Sequence, residues 1–339
     1  MSDIRPVDPH DDAAFDAWHE VYLASQLHGR GDWASPWQRE ELRAQVQAPS
    51  TLRSNTVYAG WSAGRLVSAG WLAMPLRDNL DRAYLAVDVA PGDRRSGHGA
   101  AMLAHLEQLA LAEGRTVIGA ETSWGLESGA EGEGDPGREF LVAHDYTLML
   151  GDVQRQLDLP VADGLLDELA ASAAGHHAAY TLRSWVGPVP DDLAESWLAL
   201  STTLMTEAPT GEMELEPEVV DVAEMRVHEE MVARQGRTKY NSVALDAEGT
   251  VVAYTDIATT VHEPDRAYQW GTLVAGAHRG HRLGLAVKAA NLALLQRECP
   301  GVTRLTTYNA EVNAHMIGVN EMLGYRPVAR LGEFEKKLA

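Results

Sequence analysis

One short stretch of this chain combines arginine and glycine in a way that suits a phosphate. Arg94-Arg95-Ser96-Gly97-His98-Gly99-Ala100 has the spacing R-x-x-G-x-G. It follows an apolar β-type run, Ala83-Tyr84-Leu85-Ala86-Val87. It precedes a run in which Met102, Leu103, Leu106, Leu109 and Ala110 recur at helical spacing. A strand that feeds a turn opening a helix leaves free N–H groups and the positive end of the helix dipole aimed at one spot. Glycine lets that backbone approach an anion closely. A surface turn with arginines has the same look, but here the arrangement returns. Arg279-Gly280-His281-Arg282-Leu283-Gly284-Leu285 lies 185 residues on, after Ala267-Tyr268-Gln269-Trp270 and before Val287, Ala290, Leu294 and Leu295. The recurrence favours anion binding. The spacing G-x-x-x-x-G-K-[ST] is absent, and G-x-G-x-x-G does not follow either strand, which excludes the two commonest nucleotide loops.

The elements that would position these loops repeat as well. Upstream of each lies a hairpin pattern, 56–61 and 66–74 about a turn at 62–65, then 239–245 and 250–259 about a turn at 246–249. Helical patterns precede the hairpins over 11–27 and 36–47, then 190–204 and 216–235. After each loop helix come a short strand, 115–120 or 302–308, and a second helix with a similar tail, Phe140 to Tyr146 or Val319 to Tyr325. Each half therefore reads strand, two helices, hairpin, strand, loop, helix, strand, helix, strand. The expected domains are 1–159 and 177–339, joined by an Ala- and Gly-rich linker over 160–176 in which 165–173 has helical character. The fold class is α/β (α+β).

Bulk properties narrow the classes. At roughly 100–200 residues per domain, 339 residues make two domains. A formal net charge of -21 argues against nucleic acid and anionic membranes and suits a cationic partner. Cys299 is the sole cysteine, so no internal disulfide forms, in keeping with a cytoplasmic protein. Met1-Ser2-Asp3-Ile4-Arg5 leads into no apolar run, and no stretch reaches the roughly 18 apolar residues of a membrane span. The histidines, including His176 and His177, lack metal-ligand spacing, and no metal is expected.

With these segments the chain resembles the GNAT superfamily of acetyl-CoA-dependent N-acetyltransferases, in particular tandem-domain actinobacterial members with mycothiol synthase-like relatives. The stretch from Gln269 through Asn309-Ala310-Glu311-Val312-Asn313 to Gly324-Tyr325-Arg326-Pro327-Val328 carries the likeness best. The resemblance implies, in each half, a mixed and mostly antiparallel sheet whose central strands splay apart, flanked by helices. It implies that the pantetheine arm of the acetyl-CoA co-substrate lies along Val87, Asp88 and Val89, and along Leu273, Val274 and Ala275. The two loops, 94–100 and 279–285, would hold the pyrophosphate, and Asn313 would face the cofactor arm. Arg282 stands where the family usually has glycine. The family's general-acid tyrosine would fall on Leu141 and Asn320, neither of which can serve.

The implied reaction is attack of a primary amine on a thioester, which needs a base. Asp88 on the central strand, Glu121 after the next strand and Glu311 after its counterpart are the candidate bases; Tyr308 and Tyr84 are candidate proton donors. The first two helices and their loop would receive the acceptor. There Trp33 and Trp37, near Asp32, suit a small cationic amine. Cofactor binding is expected in both halves and chemistry in one, in a monomer or homodimer. The rival reading is a non-catalytic acyl-CoA-binding or sensing protein.

Overall fold

A computed structural model describes residues 3–207, 209 and 211–338, so the chain ends at Met1, Ser2 and Ala339 lie outside the described residues. The chain divides into two compact units, Met1–Gly151 with Arg330–Ala339, and Asp152–Ala329.

The first unit begins with β1 (Asp3–Pro6), α1 (Asp12–Leu27) and α2 (Arg39–Gln47). It continues through β2 (Arg53–Ser62), β3 (Arg65–Pro75), β4 (Arg82–Val89), α3 (His98–Ala112), β5 (Val117–Gly125), α4 (Pro136–Val142) and the start of β6 (Thr147–Asp158). Helix starts are set by side-chain caps. Asp11 accepts from the Ala14 N–H at 3.1 Å, and Asp135 accepts from Gly137 and Arg138 ahead of α4. The β2–β3 hairpin closes on Ala63 and Gly64, both at positive φ, the two-residue turn that matches strand twist.

Strands β1 to β4 pair antiparallel in sequence order, and β4 pairs parallel with β5. One sheet face packs on α3, where Met102, Leu103, Leu106 and Ala110 meet Leu72, Ala83, Leu85 and Ile118. The other face packs on α1 and α2 through Phe15, Trp18, Val21 and Leu42. The α3 layer packs directly on β4 and β5 through Ala83, Leu85, Ile118 and Trp124.

The second unit takes the rest of β6, then α5 (Leu165–Ala174), β7 (Thr181–Val186), α6 (Ala194–Ser201), α7 (Leu204–Glu207) and α8 (Val222–Arg234). After these come β8 (Arg237–Leu245), β9 (Val251–Thr260), β10 (Arg266–Val274), α9 (Leu283–Glu298), β11 (Arg304–Ala310), α10 (Ala314–Leu323) and the start of β12 (Arg326–Lys337). Strands β7 to β10 pair antiparallel and β10 pairs parallel with β11, repeating the first unit. Helix α9 is buried almost all round, between the sheet and α5.

The last strands are shared out differently from a break over 160–176. Residues Asp152–Asp158 of β6 pair antiparallel with β11 inside the second unit. The chain from Arg330 onward belongs to the first unit, where Phe334 joins the α3 core and Glu335 pairs with the buried Arg82 of β4. Strand partners are chosen by backbone pairing and packed faces over long range, which a local pattern does not record. The expected 165–173 helix is α5, seated on α9 rather than standing in an open linker.

Candidate active site

Beyond a certain point the two parallel central strands of each unit part. In the first unit, β4–β5 register runs from Arg82↔Val117 to Leu85↔Ala120 and stops, although β4 continues to Val89 and β5 to Gly125. In the second, β10–β11 register stops at Tyr268↔Thr306. The expected splay is thus present in both. Strand β5 is longer than the sequence pattern indicates, so Glu121 lies within it as the first residue past the last pair.

The first-unit splay opens into a cleft of about 630 Å³. Its walls come from the end of α1 and the following turn (Ser25, Gln26, His28, Arg30, Trp33), from Ala86 to Val89, from the loop before α3, and from Glu121, Thr122 and Phe140. At the loop, Gly97 takes φ +82 and caps α3; the first backbone bond there is Ala101 N–H to the Gly97 carbonyl at 3.0 Å. The helix's leading amides therefore point outward at the mouth of the cleft. Gly99 keeps the helix end close: a Cβ on it would lie 3.2 Å from Phe140 and 3.4 Å from Val89. Arg94 acts as a brace. Its Nε donates to the Val89 carbonyl at 3.3 Å and its Nη2 to Ser25, which ties the guanidinium to the end of β4 and to α1.

Side chains alternate along β4, so Val87 joins the α3 side while Asp88 faces α1. Asp88 is only 6% exposed and accepts from Gln26 Nε2 at 2.9 Å. Burial pushes its carboxyl up to about 6, against hydrogen bonds from Ser25 and Gln26 and the charges of Arg30 and Arg94. Gln26 in turn accepts from Arg30 Nη1, which fixes which way its amide faces. Glu121 projects into the cleft and is exposed there; desolvation by the cleft walls raises its pKa, partly offset by Arg30. Tyr22, on α1, is likewise raised by burial and by Asp88.

The second unit repeats the backbone and not the chemistry. Arg279 Nε donates to the Val274 carbonyl at 3.2 Å, as Arg94 does to Val89. Arg282 takes the glycine-like φ of +52 and caps α9, and its Nη1 donates to the Ser172 carbonyl of α5. His281 is bonded to the His176 carbonyl and Arg279 to Glu207. Leu273, 185 residues after Asp88, is buried in the core, and the exposed Tyr308 holds the β11 position that Glu121 holds in β5. The Gly271 N–H is taken by the Asp256 carboxylate at 2.8 Å. Lys288 of α9 is buried against Gln269 (3.2 Å).

Burial pulls the Lys288 ammonium from 10.5 down to about 7. The unfolded chain then holds more protons between about pH 7 and 10.5, so this residue makes stability rise with pH across that window. Lys288→Met is expected to gain about 1–4 kcal/mol at pH 7 and to flatten that rise, read by denaturant unfolding at pH 7 and 9.5.

Of the predicted site residues, the structure brings together Val87, Asp88, Val89, the 94–100 loop, Glu121 and Trp33. Trp37 does not line this cleft; its N–H donates to Tyr22 Oη and its carbonyl bonds His19. Asn313 caps α10, accepting from the Met316 N–H at 3.2 Å. Tyr308 and Glu311 are exposed in the second unit, and Tyr84 is half-buried beneath Arg53. Sequence reading missed Ser25 and Gln26, whose partners Arg94 and Asp88 lie far off in the chain, and placed Arg30 in the acceptor segment without a role. Among the described residues no cluster of three or more His, Cys, Asp or Glu side chains could hold a metal, and no helix is long and apolar enough to cross a membrane.

No protein-family profile matches the chain, and no curated protein does. Solved structures do. A tandem GNAT protein from the clavulanic acid biosynthesis pathway is 27% identical, covering 99% of this chain and 98% of its own, with a TM-score of 0.78. A GCN5-related N-acetyltransferase from Sphaerobacter thermophilus shares the fold at 13% identity, over 99% of this chain and 95% of its own, with a TM-score of 0.68. A putative acetyltransferase from Pyrococcus horikoshii shares it at 10% identity over 100% and 90%, with a TM-score of 0.56.

Proposed function

Since the chain belongs to the tandem GNAT type, we propose that it is an acyl-CoA-dependent N-acetyltransferase acting on a primary amine, with its reacting centre in the first unit. The observation that carries this reading is a contrast between equivalent positions. Asp88 and Glu121 stand where the first-unit strands part, and Leu273 and Tyr308, neither a carboxylate, hold the equivalent positions in the second.

The cleft fits acetyl-CoA on its own features. The α3 amides and Gly99 form a close anion cradle, and the parted strands leave β4 backbone open along Ala86 to Val89. When bound, the co-substrate supplies an activated thioester. Asp88 is placed to take the proton from the acceptor's ammonium; a carboxyl near pH 6 is ionised at neutral pH yet basic enough to hold a proton. Glu121 across the cleft adds negative charge that attracts the amine. The second unit, its loop side chains engaged with α5 and Glu207, serves as scaffold or as a second binding site.

Calorimetry with acetyl-CoA, followed by thiol release on adding an amine panel, tests this. Tight binding and amine-dependent thiol release are expected. Binding without release for any amine favours an acyl-CoA sensor instead, and no binding at millimolar acetyl-CoA removes both.

A further inference from the structure

The cleft holds a cation that proton transfer to Asp88 does not need. Arg30 is half-buried, gives one hydrogen bond to Gln26 Oε1, and sits with Cζ 5.8 Å from the Trp33 ring centroid. A guanidinium has further N–H donors in a planar fork that suits a carboxylate. Arg94, the other arginine near Asp88, is already spent on Val89 and Ser25. The groups around Asp88 are Tyr22, Ser25, Gln26 and Arg30 from α1 and its following turn, Arg94 from the loop and Glu121 from β5. Arg30, with one side-chain hydrogen bond against three from Arg94, keeps more donors for an anion in the cleft.

Gln26 measures the interval. Its carbonyl accepts from Arg30 and its amide nitrogen donates to Asp88, so an acceptor group faces the arginine and a donor faces the aspartate. An α- or β-amino acid carries the same polarity over a comparable span. We propose that the acceptor is an amino acid, with its free carboxylate held on Arg30 and its amine presented to Asp88. This rests on the acetyl-transfer reading above. An amine carrying only positive charge would leave the remaining donors of Arg30 unused.

The test uses the full chain with CoA for calorimetric binding, and with acetyl-CoA for thiol release. The probes are α- and β-amino acids, each paired with its C-terminal amide, and simple polyamines. Accepted acids are expected to exceed their amides on the order of 10- to 100-fold in kcat/KM, mostly through KM. Arg30→Gln should bring that ratio close to one, and Arg30→Lys should restore part of it. Amides equal to acids in the unaltered protein, a preference that survives Arg30→Gln, or no acid binding at all would overturn the proposal. Acids that bind the CoA-loaded protein without thiol release would sink acetyl transfer and leave the amino acid site standing. Polyamines acetylated as well as acids would do the reverse.

Discussion

Asp88→Asn is expected to lower kcat/KM for acetyl transfer by about 10²- to 10⁴-fold, the range for loss of a general base. In the unaltered protein the rate should climb with pH through about 6, as the buried carboxyl ionises and becomes able to accept the amine's proton. The substituted protein should lack that limb. Stability should move the other way. A folded-state pKa raised above the ordinary 3.8 means the native protein holds more protons between about pH 4 and 6, so Asp88 costs stability progressively as pH rises through that window. At 1.36 kcal/mol per pH unit the cost above pH 6 is at most roughly 3 kcal/mol, and Asp88→Asn removes the charge that incurs it. The variant should therefore unfold no more easily than the parent at pH 8 while being nearly inactive. Should the limb stay with Asp88→Asn and vanish with Glu121→Gln, the base is Glu121.

Gly97→Val should weaken acetyl-CoA binding on the order of 100-fold, measured by calorimetry. A β-branched residue at φ +82 is strained by roughly 1–2 kcal/mol, and relief of that strain rotates the amides at the head of α3 away from a common focus. A control of similar strain is Gly280→Val in the second loop, at φ +88, where it stands two residues before the α9 cap Arg282. It carries similar strain, so both proteins should lose similar stability. Only the first should lose turnover. Equal loss of turnover from both would place the chemistry in the second unit or in neither.

These expectations show which parts of the molecule a linear reading reaches. The loops were legible because glycine and arginine act locally, and the offset between Arg94 and Arg279 survives intact as two matching bonds to Val89 and Val274. Asp88 was legible as a strand residue, and its facing direction needed α1. The strand expected over 115–120 runs on as β5 to Gly125 because Trp124 is buried and the polar residues before it face the cleft. Trp33 and Trp37 were equivalent by composition. A short turn separates them, and only Trp33 ends on the cleft wall. Gln26 and Arg30 carry no motif at all, since the Gln26–Asp88 bond spans 62 residues. The net charge of -21 pointed to a cationic acceptor, but a bulk count cannot see one guanidinium placed beside two carboxylates.

The return of Arg330–Ala339 to the first unit has a bearing on biogenesis. A ribosome delivers residues 1–151 long before it delivers Phe334 and Glu335, whose places beside Trp124 and Arg82 must wait. The nascent first unit thus lacks these two side chains until the second unit has been made. Its completion waits on residues made after the second unit rather than on its own emergence.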